Sequence, residues 1–173
     1  MNKEKIILAA RILLLLAIAG TLAFIFYQSM LPQEKSSEVS NNVSDIIEPI
    51  IPSDTPAGQK FHENIREWAH FIEFAALGAE VALYVVLFLP GKSTKLRPKV
   101  RFIAYSFVSA PIFALLDETL QIFTERGPEI KDVWIDTLGF VSFATLVYAV
   151  YIAAVLIIRR VRSSKESARE TVN

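Results

Sequence analysis

The chain has 173 residues, with 18 basic and 18 acidic side chains, no cysteine, 53% hydrophobic residues and a mean hydropathy of +0.39. That length suits one domain, the absence of thiols excludes disulfides and cysteine chemistry, and the apolar content excludes an ordinary soluble domain. Basic residues occur in short runs without interleaved aromatics, so no nucleic-acid partner is expected.

The apolar residues collect in four blocks, 6–27, 68–89, 102–123 and 133–158. Each holds about 22 residues or more, enough at about 1.5 Å per residue to cross a hydrocarbon core about 30 Å thick. Because the blocks are apolar around most of the helix rather than along one stripe, the expected fold is an all-α membrane protein with four transmembrane helices. A single domain over 1–160 and a basic, polar tail over 161–173 complete the expected organisation.

The first block follows MNKEK and passes through AIAG, which is similar to a secretory signal with its cleavage site. TLAFIFY continues the apolar run beyond that point, so an uncleaved first span is expected. The segment after it is rich in Ser, Asn, Pro and acid. Val39, Val43, Ile46, Ile47 and Ile50 recur there near helical spacing and predict a short surface helix, while Pro49, Pro52 and Pro56 break anything longer. FHENIREW enters the second span as a helix, Pro90-Gly91 ends it, and Pro111 should kink the third. The turn TERGPEIKD leads into the fourth.

Charge orients these spans. Lys3 and Lys5 precede the first, GKSTKLRPKVR (91–101) carries five basic residues and no acid, and Arg159, Arg160, Arg162, Lys165 and Arg169 follow the fourth. Residues 28–67 carry seven acids against Lys35, Lys60 and Arg66. The basic-loop rule therefore puts both termini and the 91–101 loop in the cytoplasm, with 28–67 and 124–132 outside.

With spans two and four running inward and span three outward, the start of two, the end of three and the start of four share the outer level. On span two, Arg66, His70, Glu73, Leu77 and Glu80 fall in one sector at about 100° per residue. Asp117 and Gln121 share a stripe of span three, with Glu118 about 100° away, and Asp132, Asp136 and Gly139 share a face of span four. Arg126 stands in the adjoining turn. Ionisable groups inside spans are functional candidates, and acids outnumber bases here. Three readings fit: a network that holds the fold, with Arg66 and Arg126 bridging acids; a divalent cation held by His70, Glu73 and Asp117 or Asp136, an oxygen-rich set that suits Mg²⁺, Ca²⁺ or Mn²⁺ and, with one His nearby, Zn²⁺ less well; or acid–base chemistry by His70 and a carboxylate such as Glu73 or Asp117 on a lipid headgroup. Glu80, about 18 Å along span two, is expected at mid-membrane, protonated, hydrogen-bonded to a neighbouring Ser or Tyr, or lining a wet cavity. His62 is expected in solvent, and Trp68 and Trp134 as interfacial anchors.

The set Arg66, Ala69, His70, Phe71, Glu73, Phe74, Leu77, Gly78, then Asp117, Glu118, Gln121, Phe123, then Asp132, Asp136, Gly139, resembles the VanZ-like family of small bacterial membrane proteins. Ser29, Pro32 and Ser36 in FYQSMLPQEKS match that family's early stretch, so the likeness covers nearly the whole chain. Departures are Glu67, where the family commonly has a basic residue, and Phe74, where Tyr is common. The resemblance implies a cell-envelope role and low-level resistance to the glycopeptide teicoplanin, and carries the motif residues over as a shared site. It names no reaction.

The candidate set is therefore His70, Glu73 and Asp117 for catalysis and Arg66, Glu118, Gln121, Arg126, Asp132 and Asp136 for substrate binding, with any metal left open. The expected partners are the bilayer and an anionic envelope lipid or lipid-linked wall precursor. The alternatives are a non-catalytic scaffold or modulator whose polar cluster only packs helices, and a small oligomeric transporter suggested by Glu80 and Pro111. Residue types and spacing specify no oligomer.

Overall fold

A computed structural model describes residues 3–88, 97–124 and 127–170. They form six helices in the order α1 (Lys3–Ser29), α2 (Gln33–Ile47), α3 (Pro56–Glu63), α4 (Ile65–Phe88), α5 (Arg97–Gln121) and α6 (Ile130–Glu170). Among the described residues, Glu4–Ser29, Ile65–Phe88, Val100–Gln121 and Ile130–Ser164 are long and apolar enough to cross a membrane. These are the four expected spans. Most of the basic 91–101 loop, and the proposed stop at Pro90-Gly91, lie outside the described residues.

The distribution of apolar side chains is that of a protein solvated by lipid. Leu13, Leu16, Ile72, Leu87, Tyr105 and Val150 are all exposed around the bundle, where exposure to water would create apolar patches far larger than soluble monomers carry. The buried core is composed of Ile25, Phe74, Leu77, Ala82, Val85, Ala110, Ala114, Phe140, Ala144 and Tyr148. Small residues predominate on α5 because close helix approach replaces the hydrophobic drive between helices in lipid.

The closest approach joins α4 to α6. A Cβ at Gly78 would overlap the backbone of Phe140, and one at Gly139 would overlap the carbonyl of Phe71. Each helix thus supplies a glycine to the crossing, and only glycine lets the two backbones come this near. Helix α5 continues unbroken through Pro111, and the Ser106 hydroxyl meets the Tyr148 hydroxyl of α6 at 2.7 Å.

Two elements exceed the expectation. The expected single surface helix is a pair, α2 and α3, linked by the proline-rich segment 48–55. Thr55 caps α3 by accepting from the Gly58 amide at 3.0 Å, with Pro56 at the first helical position. The helix of the fourth span does not stop near residue 158. It runs 41 residues, roughly 60 Å at 1.5 Å per residue, since RRVRSSKESARE contains good helix formers and no Gly or Pro.

His62 corrects the expectation of a solvated side chain. Its ring is 11% exposed, with Nδ1 2.5 Å from Ser44 Oγ, and Nε2 2.7 Å from the Ile51 carbonyl and 3.1 Å from Glu48 Oε2. The imidazole ties α3 to α2 and to the segment between them. The fold of the two helices back on each other is what buries it.

Candidate functional site

Ser29 ends α1, Arg66 and His70 begin α4, Asp117 and Gln121 end α5, and Asp132 and Asp136 begin α6. These residues are in contact, so successive spans alternate in direction and one end of the bundle is polar. All but Arg66 are buried, with Ser29, Asp117, Gln121 and Asp136 fully so.

The floor is a three-helix cluster. His70 Nδ1 lies 3.5 Å from Asp136 Oδ1 and 3.8 Å from Asp117 Oδ2, and one donor atom from each of the three residues falls within 4.8 Å of the others. Ser29 donates to Asp117 Oδ1 at 2.6 Å, which fixes that carboxylate and turns its other oxygen toward His70. Above the floor, the Gln121 amide donates to Glu118 Oε1 at 2.9 Å and to Asp117 Oδ2 at 3.4 Å. Its oxygen accepts from Arg66 Nη2 at 3.0 Å, and the same nitrogen lies 3.5 Å from Asp132 Oδ2. The second Glu118 oxygen accepts the Glu129 amide at 2.7 Å, capping the entry to α6 where helix backbone donors lack partners. A Glu67–Lys131 ion pair stands at the rim.

This network is incomplete at its centre. His70 Nδ1 and both carboxylate oxygens of Asp136 have no hydrogen-bond partner among the described residues. The 3.5 Å and 3.8 Å separations exceed the roughly 2.7–2.9 Å of a charge-assisted hydrogen bond. A purely structural polar cluster in a membrane core satisfies its groups, because each orphan costs free energy. Beside it, a cavity of about 60 Å³ between α2, α1 and α4 reaches His70 and Glu73 and is lined also by Ser36, Ser40 and Arg66. That is room for a few waters or small ligand atoms.

The structure brings together eight of the nine candidate residues, Glu73 by way of the cavity it shares with His70 and Arg66. Arg126 lies outside the described residues. Ser29 was not among the candidates. Its signal was a hydroxyl at the end of the first span, on the same level as the others by the alternation of spans, and in the stretch FYQSMLP. Glu80 is separate from the cluster, as expected. Its partner is neither Ser nor Tyr but Thr21 of α1, which donates to Oε1 at 3.1 Å, while Oε2 is without a hydrogen bond. Farther along α1, Arg11 donates to the Tyr84 hydroxyl at 2.8 Å and lies over its ring.

A second hollow, about 640 Å³, opens beside the polar end between α3, α4 and α6. Phe61, Trp68, Phe71 and Ile135 form its apolar wall, with Lys60 and Glu67 at its margin. Phe61 and Trp68 stack at 6.0 Å between ring centroids. Trp68 and Trp134 are both exposed.

In comparison with known proteins, residues 12–154 match the family model described as VanZ/LLP1. No curated protein and no solved structure matches the chain.

Proposed function

The chain belongs to the VanZ/LLP1 family, and from that membership and its polar end we propose that it binds or modifies an anionic envelope lipid or lipid-linked wall precursor and thereby contributes to resistance to teicoplanin. The observation that carries the reading is the buried cluster of His70, Asp117 and Asp136, in which His70 Nδ1 and both Asp136 oxygens find no hydrogen-bond partner among the described residues. A group from outside the chain would complete it. The basic residues at the opposite end of the bundle, Lys5, Arg159, Arg160 and Arg162, favour an orientation with that end in the cytoplasm and the polar end at the outer face of the cytoplasmic membrane.

In this reading Arg66 receives the headgroup. Its Nη2 is engaged with Gln121 and Asp132, whereas its buried Nε has no hydrogen-bond partner among the described residues, and a guanidinium is the matching donor for phosphate oxygens. The neighbouring hollow falls within the size range of ligand pockets. Its aromatic wall would take the apolar part of a lipid with Lys60 beside the headgroup. His70, with Glu73 and Asp117, would handle protons at the bound group. Glu118, Gln121 and Asp132 hold Arg66 and the entry of α6 in place.

The scaffold reading is favoured by one set of observations: the Ser29–Asp117, Arg66–Gln121 and Arg66–Asp132 contacts each join two helices. The two readings separate in a strain lacking the gene and complemented with wild type, His70→Gln or Asp117→Asn, with membrane levels quantified. A ligand site predicts normal levels and lost teicoplanin tolerance. A scaffold predicts tolerance that falls only in step with protein level.

A further inference from the structure

We propose that His70, Asp117 and Asp136 bind a divalent transition-metal ion, of the Mn²⁺ or Zn²⁺ class. The spacing of the donors is the first argument. Two ligands held about 2.1 Å from one ion at the tetrahedral angle stand about 3.4 Å apart. The His70–Asp136 and His70–Asp117 separations are 3.5 Å and 3.8 Å, and all three donor atoms fall within 4.8 Å. These distances are too long for direct hydrogen bonds and short enough to share one ion.

Burial is the second argument. Asp136 is fully buried, and among the described residues both of its oxygens are without a hydrogen bond, as is Nδ1 of His70, itself 7% exposed. Two carboxylates at this separation in a low-dielectric core require a counter-charge. Arg66 points to Gln121 and Asp132, and a divalent ion supplies twice the charge of the His70 imidazolium that stands within ion-pair distance of both carboxylates. The surroundings also have the form of a metal site's outer layer. Ser29 holds the far oxygen of Asp117, fixing the carboxylate as second-layer groups do.

One imidazole nitrogen with two carboxylates is a mixed donor set. Ca²⁺ takes six to eight oxygens and Mg²⁺ keeps an oxygen shell, whereas Mn²⁺ and Zn²⁺ accept imidazole with carboxylate. Three protein donors leave coordination positions open, and the cavity of about 60 Å³ reaches His70 from the side of Glu73 and Arg66. Phosphate oxygens are the natural ligands there. That use of the ion rests on the lipid reading above, but occupancy of the site does not.

The test is made on the full chain purified in detergent, stripped with EDTA and titrated with Mn²⁺ or Zn²⁺. Free Mn²⁺ is followed by its electron paramagnetic resonance signal, and retained Zn²⁺ by elemental analysis after desalting. Wild type and Glu80→Gln are expected to bind about one ion per chain, and His70→Gln and Asp136→Asn at least about tenfold more weakly. If a variant does not fold, wild type decides alone: its melting temperature must rise with the ion and fall again with EDTA. No binding by wild type, undiminished binding by folded His70→Gln and Asp136→Asn, or no thermal response overturns the proposal. Anionic-lipid binding measured by native mass spectrometry on the same samples keeps the two readings apart. Ion binding without lipid overturns the lipid reading alone, and lipid binding without an ion overturns the metal site alone.

Discussion

Replacing Gly78 by alanine should loosen the α4–α6 crossing and, through it, the polar site. The new Cβ would stand 2.8 Å from both the carbonyl carbon and Cα of Phe140, and closer still to its oxygen. Carbon atoms pack at about 3.5 Å or more, so α6 must retreat by at least about 0.7 Å, and more to clear the oxygen, against atoms that belong to backbone and cannot rotate away. Overpacking of this kind costs about 1–3 kcal/mol. Asp136 lies one helical turn from Phe140, so the same displacement would carry it from 3.5 Å to at least about 4.2 Å from His70. Gly139→Ala should act alike from the other side, against the Phe71 carbonyl next to His70. Gly20→Ala is the control. Its Cβ meets nothing within 4 Å, and in mid-helix alanine is favoured over glycine by up to about 1 kcal/mol. Thermal unfolding in detergent, with teicoplanin susceptibility in complemented cells, reads both effects. If Gly78→Ala and Gly139→Ala are as stable as Gly20→Ala, the close crossing described here is wrong.

Ser29→Ala should cost about 1 kcal/mol by removing the 2.6 Å bond to Asp117, within the range for hydrogen bonds between membrane helices, and should weaken tolerance more than stability, as a titration of both would reveal. Glu80→Gln should retain wild-type tolerance at equal membrane level, because Thr21 can donate to the amide oxygen as it does to the carboxylate; loss of tolerance would instead favour the transporter reading. Glu48, outside the spans, is held below its ordinary value of 4.5 chiefly by the Ser53 amide, then by the Ser53 hydroxyl and His62. Its folded value being the lower one, its contribution to the α2–α3 fold is present above 4.5 and disappears as pH falls through the lowered value. Glu48→Gln should therefore speed proteolysis of the 48–55 segment near neutral pH and match wild type in strong acid; equal rates at neutral pH would contradict this.

The spans were legible because lipid imposes a length and a composition that few other structures share. The polar cluster was legible for a related reason: Asp117, Gln121, Asp132 and Asp136 are polar residues where the bilayer disfavours them, and counting spans puts them at one level. Ser29 escaped that reasoning because a lone hydroxyl is tolerated at a helix end and its apolar neighbours give no periodic signal. The family-like stretch FYQSMLP marked its position, and the tertiary contact with Asp117 supplies its role. His62 was read as solvated because the proline-rich segment conceals how α3 folds back on α2. The helical extension beyond residue 158 was obscured by a change in composition from apolar to basic, which marks the membrane boundary but not a helix end. Distances within the triad follow from the glycine crossing of α4 and α6, and no residue spacing encodes them.

Asp136→Asn decides most directly between a ligand site and a packing network. Its thermal stability in EDTA and its support of teicoplanin tolerance should be measured on the same variant at matched membrane level. Because neither Asp136 oxygen has a hydrogen bond among the described residues, removing its charge relieves a buried carboxylate that only the His70 ring approaches, at 3.5 Å. Stability equal to or above wild type, with tolerance lost, is the outcome expected of a ligand site. A clear loss of stability, with tolerance falling only as the protein level falls, would contradict it.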